Sequence, residues 1–223
     1  MRIAIVQFPG SNADWDALHV ARNVLGTDAY YVFHQEADLR DADAVILPGG
    51  FSYGDYLRPG AIARFSKIVP AIVDFASAGG PVLGICNGFQ ILTEMGLLPG
   101  ALTRNEQLRF ECRDVRVECG AEGTFTAGIV GQTLRLPIAH ADGRYQCDSK
   151  TLQHLKSKNL IAFRYVDGNP NGSIADIAGI YNDARNVLGL MPHPERASET
   201  ILGNADGRHL FQSLIAHLDG KAA

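Results

Sequence analysis

The chain has 223 residues, 46% hydrophobic and 20% charged, with 20 basic and 24 acidic side chains giving a formal net charge of -4. That length is enough for a proper core, in one large or two small domains. The charge balance leaves no electrostatic footprint for nucleic acid or an anionic membrane. No apolar run reaches transmembrane length, no signal peptide is expected, and Cys86, Cys112, Cys119 and Cys147 form neither a Cys-x-x-Cys pair nor a zinc-spaced cluster. These features predict reduced thiols, a cytoplasmic location and no metal site.

Arg2 to Phe8 reads as the first strand, followed by Pro9-Gly10-Ser11-Asn12 and a helix from Asp14 to Leu25 that Gly26 ends. Ala29 to Phe33 and the wholly apolar Ala44 to Leu47 are the next strands, the latter running into Pro48-Gly49-Gly50. Helical spacing returns over Ile62 to Ala78, and Val82 to Ile85 reads as a buried strand of a parallel sheet. Strands alternating with helices argue for right-handed βαβ units.

From Asn105 the pattern changes. Leu108 to Cys119 alternates apolar and polar residues, as a half-exposed strand does, which sets Cys112 and Cys119 on opposite sides, both read as packing residues. Leu134 to Ala139, Ile161 to Val166, Ile174 to Tyr181 and Val187 to Met191 are further strands, and a last helix covers Arg208 to Leu218. With no repeat, low-complexity tract or linker, the chain is expected to form one domain over 1–223.

The chemistry centres on Gly84-Ile85-Cys86-Asn87-Gly88, where the apolar run ends and Phe89, Ile91, Leu92 and Met95 take up helical spacing. Gly-x-Cys-x-Gly at a strand-to-helix turn is the cysteine counterpart of a nucleophile elbow. It presents a thiol at the positive end of a helix, where negative charge on sulfur is favoured. The backbone N–H of Asn87 can then point at a developing oxyanion.

A thiol nucleophile needs a base, and something to orient that base. Of the seven histidines, His193 is the best placed, because it follows an apolar strand as Cys86 does. Pro192 and Pro194 restrict the backbone around it. Glu195 lies two residues on, so an extended backbone would put its carboxylate beside the ring. Gly49 and Gly50 close a third strand and allow close approach of backbone donors.

Pro48-Gly49-Gly50, Gly84-Ile85-Cys86-Asn87-Gly88-Phe89-Gln90 and Pro192-His193-Pro194-Glu195 resemble the three signatures of class I (triad) glutamine amidotransferases. Phe51-Ser52-Tyr53-Gly54-Asp55-Tyr56 and His140-Ala141-Asp142-Gly143-Arg144-Tyr145 are similar to segments of one subfamily, the small glutaminase subunits of phosphoribosylformylglycinamidine synthases. Ala13 and Pro59 depart from that pattern without touching the triad positions.

The resemblance implies a flavodoxin-like α/β three-layer sandwich, with a mostly parallel central sheet and some antiparallel strands in the second half. It implies that Cys86 attacks the side-chain amide of glutamine, that His193 protonates the leaving ammonia and then activates water, and that Glu195 orients His193. Gly50 and Asn87 would supply the oxyanion hole, and Gly49, Gly50 and Gln90 would hold the glutamine, although Gln90 also reads as a plain polar helix position. No phosphate-binding loop is visible, so ATP and magnesium are expected on a larger synthetase subunit, with a third small subunit in the complex. Tyr53, Asp55, Arg58, His140, Arg144 and Tyr145 either help dock the synthetase or gate the glutaminase, or pack their own loops.

Overall fold

The computed structural model describes residues 1–221. Eleven strands are present among them: β1 Arg2–Gln7, β2 Asp28–Phe33, β3 Ala44–Leu47, β4 Val82–Ile85, β5 Ala101–Thr103, β6 Glu111–Cys119, β7 Thr133–His140, β8 Arg144–Gln146, β9 Ile161–Val166, β10 Ile177–Tyr181 and β11 Val187–Leu190. The α-helices are α1 Asp14–His19, α2 Val69–Ser77, α3 Asn87–Glu94, α4 Ser149–Ser157 and α5 Arg208–Lys221.

Nine strands form one sheet in the order β2-β1-β3-β4-β11-β10-β9-β6-β7, and β5 pairs with β8 in a small second sheet. The pairs β2–β1, β1–β3, β3–β4 and β4–β11 are parallel; from β11 through β10, β9, β6 and β7 every pairing is antiparallel. β3, β4 and β11 are buried at every position, which is why each reads as an unbroken apolar run of a strand covered on both faces. β7 alternates exposed or half-buried with buried residues instead. The molecule is the expected α/β three-layer arrangement, with α1 packed on β1 and β2, and α3 on β3, β4 and β11.

Local chemistry moves several boundaries. The helical pattern over 62–78 breaks into a 3-10 turn at Ala63–Phe65 and α2, because Pro70 fits only the first turn of a helix. The first helix tightens into α1 and then widens into a π-helical segment, Val20–Val24, with Leu25 N–H donating to Val20 O five residues back. Leu108, at φ 55°, belongs to a turn closed on Asn105 O, so β6 starts at Glu111. Cys119 is buried as expected, whereas Cys112 is exposed and packs nothing into the core, a correction to its reading from sequence.

Candidate active site

Three neighbouring parallel strands set the site. β4 pairs in register with β3 on one side (Leu83 with Ile46) and β11 on the other (Ile85 with Leu190). Their carboxyl ends therefore finish side by side, and the residues that follow, Gly49-Gly50, Cys86 and His193, share one rim of the sheet. That is where ligands bind in open α/β sheets.

Cys86 occupies the turn from β4 to α3 at φ 51° and ψ -104°, a left-handed conformation that side chains avoid and that costs about 1–3 kcal/mol. The turn is possible because Gly88 has no side chain: a Cβ there would lie 2.0 Å from the carbonyl oxygen of Leu47. The Cys86 side chain is nearly buried, with Sγ 3.9 Å from Ala139 O on β7.

His193 is 2% exposed and its Nδ1 lies 2.6 Å from Glu195 Oε1. Burial disfavours charge on this ring, but the Glu195 carboxylate and then Cys86 outweigh it and hold His193 above its ordinary value, at about 10. With Nδ1 held by Glu195, the interaction of the ring with the Cys86 thiol falls to Nε2, which has no other partner among the described residues. Glu195 reaches the ring from a 3-10 turn, Pro194–Ala197, and not from the extended backbone anticipated from the two-residue spacing. Gly49 lets the imidazole sit where it does, since a Cβ at that position would come within 2.6 Å of His193 Cε1.

Asn87 is the first residue of α3, so its backbone N–H has no acceptor within the helix. Its side chain is a clamp: Oδ1 accepts from Ser52 N–H at 3.1 Å and Nδ2 donates to Gln90 Oε1 at 2.9 Å. Gln90 Nε2 in turn donates to Asp142 O at 2.7 Å. Both ends of the Gln90 carboxamide are thus engaged, tying the helix behind the nucleophile to the 141–143 loop. Gly50, at φ 154°, is bridged to Ser11 beyond β1.

The six residues considered for docking divide. Arg58 is exposed and grips Glu94 on α3 through two bonds of 2.6 and 2.7 Å. Arg144 is half-buried and donates to Gly172 O at 2.9 Å. Half-buried Tyr53 has its hydroxyl 2.8 Å from His34 Nδ1, and Asp55 is pushed up to about 6 by burial and then by the charge of Asp142. His140 and Tyr145 are corrections: both are buried beneath the surface and cannot contact a docked protein directly. Tyr145 stacks on Phe89 and donates its hydroxyl to Pro99 O at 2.9 Å, while His140 Nδ1 lies 3.1 Å from Asn105 Oδ1.

Sequence reasoning overlooked Ser52, Asn105, Asp142 and Tyr165. Tyr165 on β9 is buried and raised above its ordinary value first by burial, opposed by the bond from Asn171, and then by Cys86. Its place in a strand gave no signal, because β11 and β10 separate β9 from β4 in the sheet and the influence of Cys86 on it is invisible in a local window. Among the described residues no group of three His, Cys, Asp or Glu side chains is arranged to hold a metal ion.

Residues 1–212 match the family described as the CobB/CobQ-like glutamine amidotransferase domain. The chain belongs to that family. A structure of PurLQS from Thermotoga maritima is similar at 44% identity and a TM-score of 0.88, covering 97% of this chain and 98% of the other. A candidate GMP synthase component from Thermoplasma acidophilum (16% identity, TM-score 0.65, 100% and 96% covered) and a glutamine amidotransferase from Thermotoga maritima (18%, 0.58, 100% and 85%) share the fold. This chain is accordingly an enzyme of the glutamine amidotransferase class.

Proposed function

We propose that this chain is the glutaminase subunit of a phosphoribosylformylglycinamidine synthase. The observation that carries the reading is the buried pair His193–Glu195 at 2.6 Å, brought to the same sheet rim as Cys86 on its strained turn. Cys86 attacks the carboxamide carbon of glutamine, and N–H groups of Gly50 and Asn87 receive the oxyanion. His193, held charged by Glu195, gives its proton to the leaving nitrogen. Ammonia departs and a thioester remains. His193 then takes a proton from water, which hydrolyses the thioester to glutamate. Gly49 and Gly50 line the substrate, and Gln90 supports it through the bonds to Asn87 and Asp142.

The ammonia passes to a larger synthetase subunit, which converts phosphoribosylformylglycinamide to phosphoribosylformylglycinamidine with ATP and magnesium held on that partner. A third small subunit completes the complex, as the PurLQS relative suggests. The chain acts as one amidotransferase unit over 1–223, in the cytoplasm, with no cofactor of its own. No helix among the described residues is long and apolar enough to cross a membrane. Tyr53 and Asp55 in the Ser52–Asp55 3-10 turn, Arg58 just after it and Arg144 at the start of β8 contribute to docking.

The test is a coupled assay of the assembled complex with glutamine or ammonium chloride as nitrogen donor. Cys86→Ala is expected to abolish the glutamine-dependent reaction and spare the ammonia-dependent one. Equal loss of both, or of neither, overturns the proposal.

A further inference from the structure

The proposed triad leaves unused a buried imidazole on the strand end next to it. His140, at the end of β7, is 2% exposed and follows Ala139, whose carbonyl oxygen faces Cys86 Sγ. Its orientation is fixed by Asn105, which donates from Nδ2 to the backbone oxygens of Arg109 (2.8 Å) and His140 (2.9 Å). Asn105 Oδ1 is thereby left to accept, from Gly143 N–H at 3.0 Å and from His140 Nδ1 at 3.1 Å. That assigns the ring proton to Nδ1 and makes Nε2 a lone-pair acceptor. Nε2 is sealed from solvent and has no partner among the described residues. Gly143 completes the seat, since a Cβ there would lie 2.3 Å from His140 Cε1. Burial and then the neighbouring His193 drive the ring down to about 4, so it is neutral at physiological pH.

A buried acceptor without a donor is rare, because desolvation without a hydrogen bond is unfavourable. The end of β7 that carries it borders the triad, with Pro137 O accepting from His193 N–H at 2.8 Å and Ala139 O 3.9 Å from Cys86 Sγ, so an unpartnered acceptor there makes sense if the donor arrives with the substrate. We propose that His140 Nε2 accepts a hydrogen bond from the carboxamide N–H of bound glutamine, holding the leaving nitrogen with its lone pair free for the proton from His193. This inference rests on the glutaminase reading above and adds a substrate-contacting residue to it. It also accounts for a histidine that is too buried to serve in docking.

The experiment compares glutamine with glutamate γ-methyl ester, which carries the same acyl group but no carboxamide N–H, on the assembled complex. His140→Asn keeps a donor toward Asn105 and removes the Nε2 acceptor. It is expected to lower kcat/KM for glutamine by about 10- to 100-fold and to leave the ester within about twofold. His140→Gln, which can return an acceptor near the Nε2 position, should recover part of the glutamine rate, and gives a second variant if the asparagine one folds poorly. Parallel loss on both substrates, or no loss on glutamine, overturns the role of His140. Failure of the wild-type complex to hydrolyse either substrate would instead overturn the glutaminase reading.

Discussion

Glu195 Oε1 and His193 Nδ1 are 2.6 Å apart in a pocket where both residues are 2% exposed. In that environment a carboxylate fixes the imidazole tautomer and stabilises the imidazolium far more than it would in water. Glu195→Gln should therefore lower glutamine hydrolysis by about 10²–10⁴-fold while leaving KM much less affected. Steady-state glutamate release by the assembled complex checks this.

The same pair makes stability depend on pH. His193 is raised from about 6.5 to about 10, so its contribution is fully present below 6.5 and is lost as pH rises through about 10. Thermal melting should show the wild type losing stability across that window. Glu195→Gln should flatten the slope, and an unchanged slope would contradict the assignment.

Asp55 behaves oppositely to a paired carboxylate. Its value is raised from 3.8 to about 6, so ionising it opposes folding, and that penalty grows between those values and is complete above about 6. Asp55→Asn should raise the melting temperature at pH 7.5 and have little effect at pH 3.5. A fall at pH 7.5 would show that the ionised carboxylate is needed for the loop.

Gly49→Ala tests the packing of the imidazole. With its new Cβ directed to within 2.6 Å of His193 Cε1, either the ring or the backbone must give. A displacement near 1 Å costs on the order of 10²-fold in turnover, readable as glutamate release, with folding checked by circular dichroism.

Tyr145→Phe removes a buried hydroxyl that donates to Pro99 O and should cost about 1 kcal/mol in urea unfolding. Tyr145→Ala should cost about 3–5 kcal/mol by opening a cavity against Phe89. A docking residue would show the reverse: full stability and weakened complex formation.

The parts legible in the sequence were those with a local cause. Ala44–Leu47, Val82–Ile85 and Val187–Leu190 are continuous apolar runs because neighbours cover both faces, and the glycines and prolines at their ends mark the rim where Cys86 and His193 emerge. Elements with weak patterns escaped. β5 and β8 have three residues each, and α4 buries only Leu155, so neither gives a period to read. Buried polar residues were the hardest. His140 and Tyr145 look like surface loop residues until the segments carrying Asn105 and Pro99, about 35 and 46 residues away, supply their partners. Glu195 was placed correctly beside His193 for the wrong local reason, since a 3-10 turn carries it there and not an extended strand.

The most direct measurement of the central claim is glutamate release from glutamine by wild type and Cys86→Ala, each with and without the synthetase and small subunits. The account predicts release by the wild type that rises with the partners and disappears in the variant. Release that persists in Cys86→Ala, or no release from the wild type even with partners, ATP and acceptor present, would contradict it.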